Sequence, residues 1–344
     1  MTGRLRVIEL TSSDQAALRD GFELRRAVQD HDLPGDLPHS WRSFSSRHDW
    51  PWPGSKESMR AFYDGTELVA WCAIYLQQND NLDVAQLEID VHPDHRGRGI
   101  GQEVLATLSP ELKAQGRTRF LFECAMGGTG ERFLRAAGAR CVVADTERRL
   151  LLADVDPGLH DAMLEDALGS SADYELVTWV GATPEELLED VAVLQGRMST
   201  DPPLDDLSWE PETYDAARVV ARDRMMAAHG MRVYAAATRH RRTGTAVGIT
   251  TLVVFSDVPG FGDQWETIVL PEHRGHRLGA LLKVANLRQA VKHEPDLAAV
   301  HTWNADSNAP MLAVNVAMGF TPLREWGEWE LAIQPSTATR SGSS

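Results

Sequence analysis

The sequence predicts a mixed α/β fold in which one domain occurs twice. Three observations carry this. The chain's 344 residues exceed one ordinary domain of about 150. Residues 87–101 align with residues 265–279: Glu88 with Glu266, Pro93 with Pro271, Arg96 with Arg274 and Gly101 with Gly279, each pair 178 apart. Within each copy, strand-like and helix-like spacings alternate around a turn rich in glycine.

The elements follow in order. Residues 5–10 read as the opening strand of the first copy, and residues 174–180 as that of the second. Residues 66–75 and 245–255 are long and rich in aliphatic and aromatic side chains, which marks central strands. Leu87, Ile89 and Val91 alternate with Glu88 and Asp90, the period of a half-buried strand. After Gly101, Val104, Leu105, Leu108 and Leu112 keep helical spacing, as Leu281, Leu282 and Ala285 do after Gly279. Residues 119–124 and 298–303 are further strands. Thr183 and Pro184 read as the cap and first residue of a helix. Turn clusters at 154–158 and 169–173 bracket a short connecting helix over 159–168. The expected organisation is a first domain over 1–155, a linker over 156–173, a second domain over 174–334 and a disordered Ser/Thr-rich tail over 335–344.

Composition removes several functional classes. With 43% hydrophobic residues there is apolar material for two cores, which excludes a mainly disordered chain. Arg and Lys total 34 against 50 Asp and Glu, a net charge of −16 that argues against a nucleic-acid partner. No window approaches about 18 uninterrupted apolar residues, so no membrane span or membrane partner is expected, nor does residue 1 lead into a signal peptide. Cys72, Cys124 and Cys141 are too few and too widely spaced for a disulfide framework or a metal site, so a reducing, cytoplasmic setting is expected, with the thiols as small buried groups.

A strand that enters a helix through glycines presents unpaired backbone N–H groups and the positive end of the helix dipole, which suits a phosphate. Residues 96–101 have that form. The dinucleotide fingerprint is excluded because Gln102 stands where its third glycine belongs, and the nucleotide-triphosphatase loop because neither copy has Gly-Lys followed by Ser or Thr. His92 with His95, and His273 with His276, flank a proline turn without carboxylate or cysteine at metal spacing, so no metal is expected.

The pattern that does fit is Val91-His-Pro93 followed by Arg96-x-x-Gly99-x-Gly101, repeated as Val269-Leu-Pro271 and Arg274 to Gly279. The second copy adds Asn304, Asn308, Asn315 and Gly319-Phe320. These motifs resemble the GCN5-related N-acetyltransferase (GNAT) superfamily, and the tandem pair is similar to mycothiol synthase-like proteins. The resemblance implies two tandem GNAT-like domains, each a mostly antiparallel central sheet flanked by helices. It implies acetyl-CoA as acyl donor, its pyrophosphate on the N–H groups of Arg96, Gly97, Arg98, Gly99, Ile100 and Gly101 or of Arg274, Gly275, His276, Arg277, Leu278 and Gly279. The strand before the turn is expected to splay, freeing the backbone of Val91 or Val269 for the pantetheine and the thioester carbonyl.

The copies diverge in opposite places. The first keeps all its turn glycines, whereas the second has Arg277 in place of Gly99, acceptable there if its φ is negative, and able to pair with a CoA phosphate. The offset of 178 sets Met126 against Asn304 and Gly130 against Asn308, the asparagines the resemblance assigns to the pantetheine arm and last helix. The balance favours the second half as catalytic and the first as a supporting copy. Direct transfer to an ammonium needs a base, for which Glu266, with Asp263 beside it, stands on the splayed strand of the second half and Glu88 on that of the first. The resemblance places an acidic tyrosine where Asn315 and Leu134 stand, so no general acid is identified. Trp41, Trp50, Trp52 and the 201–206 loop are expected to border the acceptor. The reading is an acetyl-CoA-dependent N-acetyltransferase acting on a primary amine of a small molecule, with a non-catalytic acyl-CoA sensor or assembly module as the alternative.

Overall fold

The computed structural model describes residues 5–333, so the predicted disordered tail lies outside the described residues. The first copy runs β1 (Arg6–Leu10), α1 (Gln15–Asp32), α2 (Trp41–Ser46), β2 (Ser55–Asp64), β3 (Glu67–Gln77), β4 (Val84–Val91), α3 (Ile100–Ala114), β5 (Arg119–Ala125), α4 (Thr129–Ala137) and β6 (Arg140–Leu151). Helix α5 (Leu159–Gly169) connects it to the second copy: β7 (Tyr174–Val180), α6 (Leu188–Arg197), α7 (Ala216–Ala228), β8 (Met231–His240), β9 (Ala246–Phe255), β10 (Phe261–Val269), α8 (Leu278–His293), β11 (Ala299–Ala305), α9 (Ala309–Met318) and β12 (Thr321–Ala332). Thr183 does not cap a helix; a 3₁₀ turn over Glu185–Leu187 intervenes before α6, and the Thr183 N–H donates instead to Asp223.

The twelve strands form one mixed, mostly antiparallel sheet in the order β1-β2-β3-β4-β5-β12-β6-β11-β10-β9-β8-β7. The last strand of each copy lies inside the other. β12 pairs with β5 of the first copy, β6 pairs with β11 of the second, and β6 and β12 pair with each other. The apolar side chains follow the strands: Trp329 of β12 is fully buried in the first copy's core beside Phe120 and Leu134, while Leu150 of β6 is buried in the second beside Val300 and Phe320. Each core is completed by the other copy, so the linear partition at 155 and 174 divides the chain but not the cores.

Two short parallel pairings place the clefts. β4 and β5 pair only from Val84 to Gln86, and β10 and β11 only from Phe261 to Asp263. Beyond these points the strands diverge, as expected of a strand that splays before its turn. The second copy also carries a bulge, with Trp265 and Glu266 opposite the single residue Thr251, where β3 and β4 pair without interruption.

These registers correct the constant offset. It is 178 at the turn, but matching the parallel pairs sets Arg119 against Ala299, an offset of 180. Cys124, not Met126, is thus the counterpart of Asn304. Gly128, not Gly130, is that of Asn308, both being helix N-caps, and only Asn308 caps with its side chain, toward the Met311 N–H. Two residues inserted between the second turn and β11 account for the shift.

Candidate active site

Both turns have the same backbone. Gly97 and Gly99 have φ of +74° and +79°, and Gly275 and Arg277 have +87° and +55°. Arg277 is therefore left-handed, contrary to the negative φ expected of a non-glycine there, at a cost of about 1–2 kcal/mol. Its side chain forms an ion pair with Asp166 of α5, a protein carboxylate rather than a free guanidinium. In each turn the first helical N–H to find a backbone acceptor belongs to Glu103 or Leu281, which leaves the preceding N–H groups aimed into the turn. Arg96 and Arg274 hold the turn itself: each donates to the carbonyl of the valine five residues earlier, Val91 or Val269, and each pairs with a carboxylate, Asp32 or Asp201.

The surroundings of the two turns differ. Gly97, Gly99, Ile100 and Gly101 line a cleft of about 1010 Å³, which runs along the diverging strands past Val91 and Glu88 to Glu123, Trp326 and Glu328. A Cβ on Gly97 would meet nothing within 4 Å, and neither would one on Gly275, so it is the cavity beside the turn that distinguishes the halves. The second half has a separate cavity of about 410 Å³ between β10 and β11, lined by Asp263, Glu266, Asn304 and Asn308 but by none of residues 269–279. The larger, turn-lined cleft thus lies in the first half, where the sequence favours the second.

The carboxylates fall into two groups. Glu266 accepts from Arg222 (2.7 Å), Gln195 (2.6 Å) and Thr251 (2.9 Å), and Arg222 holds it below the ordinary carboxylate range despite burial. Glu88 is bound by Arg25, Arg47 and Tyr75, and the two guanidinium groups overcome burial to hold it low as well. Both candidate bases are thus tied to arginines. Asp263 accepts from the Trp265 indole (2.8 Å), and burial pushes it up to about 6.

Glu123, Glu328 and Asp145 behave in the opposite way. Among the described residues none has a cation within 4.0 Å or a side-chain hydrogen bond. Glu123 on β5 and Glu328 on β12 are directly opposed across the strand pair, where side chains stand about 5 Å apart. Burial, reinforced by the charges of Glu123 and Asp145, pushes Glu328 up to about 8. Burial, with the charges of Glu88 and Asp145 adding to it, pushes Glu123 to about 7, although its side chain stays open to the water of the cleft, which screens part of the effect. Burial raises Asp145 to about 6, with Asp306 and Asp205 adding to it. The sequence showed Glu123 only as one charge in an apolar strand, and its opposition to Glu328 depends on the exchanged β12.

Trp303 and Glu328 line both cavities, so the two share a wall. Beside it, Glu147 of β6 accepts from Trp326 (3.1 Å) and Arg324 (3.1 Å) of β12 and hydrogen-bonds His301 of β11 (2.8 Å), with Asp36 adjoining. Asp36, Glu147 and His301 could also gather round a metal ion, but Arg324 already supplies the positive charge between the carboxylates. The 201–206 loop borders the second cavity through Pro202, Pro203 and Leu204, and Trp52 packs on Trp265, whereas Trp41 meets Phe22 edge-on and stacks with Phe44 in the first half. Asn315 is buried and donates to Asn304, and Leu134 is core, so neither provides an acidic hydroxyl.

Residues 27–135 match the family model Acetyltransferase (GNAT) family. The whole chain is similar to a solved structure described as a tandem GNAT protein from the clavulanic acid biosynthesis pathway, at 27% identity and a TM-score of 0.80, covering 96% of this chain and 99% of that one. It shares its fold with a GCN5-related N-acetyltransferase from Sphaerobacter thermophilus (15% identity, TM-score 0.64, 97% and 98% covered) and with Saccharomyces cerevisiae N-myristoyltransferase (9%, 0.58, 96% and 81%). No curated protein matches the chain. Residues 27–135 thus carry a GNAT-family domain, and the whole chain has the fold of a tandem GNAT protein. No helix among the described residues is long and apolar enough to cross a membrane.

Proposed function

We propose that the chain is an acetyl-CoA-dependent N-acetyltransferase that acts on a primary amine of a small molecule, with the acyl donor in the cleft of the first half. One observation carries the reading. The open glycine turn and the cation-free pair Glu123–Glu328 line the same cleft, so an anion site and an ammonium site face one space. Gly97 to Gly101 fit the donor's pyrophosphate by backbone N–H and dipole, and the diverging end of β4 leaves the Val91 backbone for its pantetheine arm. Acetyl-CoA supplies an activated acyl group.

The protein's part is proton handling. An ammonium must lose a proton before it attacks, and a base titrating near the working pH is the efficient acceptor. Glu123 and Glu328 titrate as a pair that holds about one proton at neutral pH. The ionised member takes the proton of the bound ammonium, and the protonated member can neutralise the leaving thiolate, the role for which no tyrosine is placed. Glu88 keeps its charge through Arg25 and Arg47 and orients the cleft wall.

Thiol release from acetyl-CoA across a panel of small amines tests this. Glu123→Gln is expected to lower kcat by about 10²-fold or more and to flatten the rise of rate around pH 7, while acetyl-CoA binding is kept. If acetyl-CoA binds without thiol release for any amine, the acyl-CoA sensor replaces the enzyme.

A further inference from the structure

Lys283 of α8 is 1% exposed, lines the second cavity, and has neither a hydrogen bond nor an ion pair among the described residues. Its ammonium neighbours the Phe320 ring at 5.3 Å. An unpaired buried ammonium costs several kcal/mol, and burial alone lowers this one to about 7. The fold does not demand it, because the turn offset sets Leu105, which packs on the first core, at the matching position of α3. A lysine kept without an anion at the base of a cavity points to a ligand that brings the anion.

The same lining also asks for a cation. Asp145 and Glu328 line the same cavity without a positive partner, and Glu328 also faces the first cleft. No salt bridge joins either of them to Lys283, so each carboxylate lies more than 4.0 Å from its ammonium. Thr267 and Asn304 add neutral polar groups to the lining, and Pro202, Pro203 and Leu204 add apolar ones. A volume of about 410 Å³ is at the low end of small-ligand pockets, about 300–1,000 Å³.

We infer that the acceptor is a free amino acid seated in the second cavity, its carboxylate on Lys283 and its ammonium at the Asp145–Glu328 wall, where the amine meets the acyl donor held by the other half. This inference rests on the acetyl-transfer reading for its chemistry but not for its binding geometry. It makes the two halves complementary, one holding the donor and the other the acceptor.

Isothermal titration of the intact protein, without acetyl-CoA, tests it with matched probes of three to six carbons: the ω-amino acid, the alkylamine and the alkylcarboxylate. At one chain length or more the amino acid should bind at least tenfold tighter than both relatives. In Lys283→Met its advantage over the amine should fall below twofold, and in Glu328→Gln its advantage over the carboxylate should. Removing the unpaired charge should raise the ligand-free Tm of Lys283→Met, and Lys283→Gln repeats the titration should the Met variant not fold. No amino-acid preference at any length, or a preference that survives loss of Lys283, overturns the inference. Amino-acid binding with no thiol release overturns acetyl transfer alone, whereas thiol release from plain amines without amino-acid preference overturns this inference alone.

Discussion

The two clefts come from the same sequence of elements and meet at one wall, yet their charges are arranged in opposite ways. In the first, the glycine turn opens into the cavity, and Glu123 and Glu328 stand without cations. In the second, the turn does not line the cavity, Glu266 is saturated by Arg222, Gln195 and Thr251, and an unpaired cation, Lys283, joins the unpaired Asp145 and Glu328 in the lining. Duplication conserved the scaffold while the charge pairing diverged. An acid's place on a strand therefore says less about its chemistry than whether an arginine reaches it. Glu88 and Glu266 occupy the expected strand positions and are both neutralised; the carboxylates without cations lie between those two strands, on β5, β12 and β6.

The strongest way to break this comparison is one substitution made in both clefts. Glu266→Gln leaves the buried Arg222 without its charge partner and should cost about 3–5 kcal/mol of stability, read as a lower urea midpoint at pH 7. Because Glu266 titrates below its ordinary value, its stabilisation is complete above about pH 4.5 and is lost as pH falls through the folded value, so the variant's deficit should shrink toward pH 3. Glu328→Gln should change stability in the other direction. Its carboxyl titrates near 8 when folded, so ionisation weakens the fold as pH rises from about 4.5 to 8, and the variant should be the more stable protein at pH 8. Equal losses in both variants would remove the distinction between paired and unpaired acids.

Next in size is donor binding. Gly99→Val forces a β-branched residue to φ of +79° and should weaken acetyl-CoA about 100-fold, cutting the roughly 2.7 kcal/mol of ligand stabilisation seen at 100 times the original Kd to about 0.4 kcal/mol. Gly275→Val strains the second turn alike but should leave acetyl-CoA affinity intact, and the reverse result would move the donor to the second half. The smallest effect belongs to Arg277→Gly, which relieves a left-handed arginine and gives up an exposed ion pair with Asp166. The strain of about 1–2 kcal/mol exceeds the 0–1 kcal/mol of such a pair, so thermal unfolding should show a small gain.

Much of the fold was legible because duplication and backbone chemistry are local. The repeat, the Gly97–Gly99 turn, the alternation of β4 and the helical spacing after each turn depend on neighbours in sequence, and the structure keeps them all. The constant offset failed at β5 because two residues inserted after the turn leave no mark in the motif used to align the copies. The unpaired acids were missed for a different reason. Glu123 and Glu328 lie 205 residues apart and face each other only because β12 crosses into the first copy.

The sequence by itself therefore determined the element order, the twofold repeat and the glycine turns, all properties of short segments whose backbone conformation is set by glycine, proline and apolar period. The tertiary structure decided which turn opens into a cavity, which acids have cations, and that each core is closed by the other copy's last strand. Those outcomes depend on side chains brought together across the sheet, and a charge's pairing and desolvation are fixed by its neighbours in space.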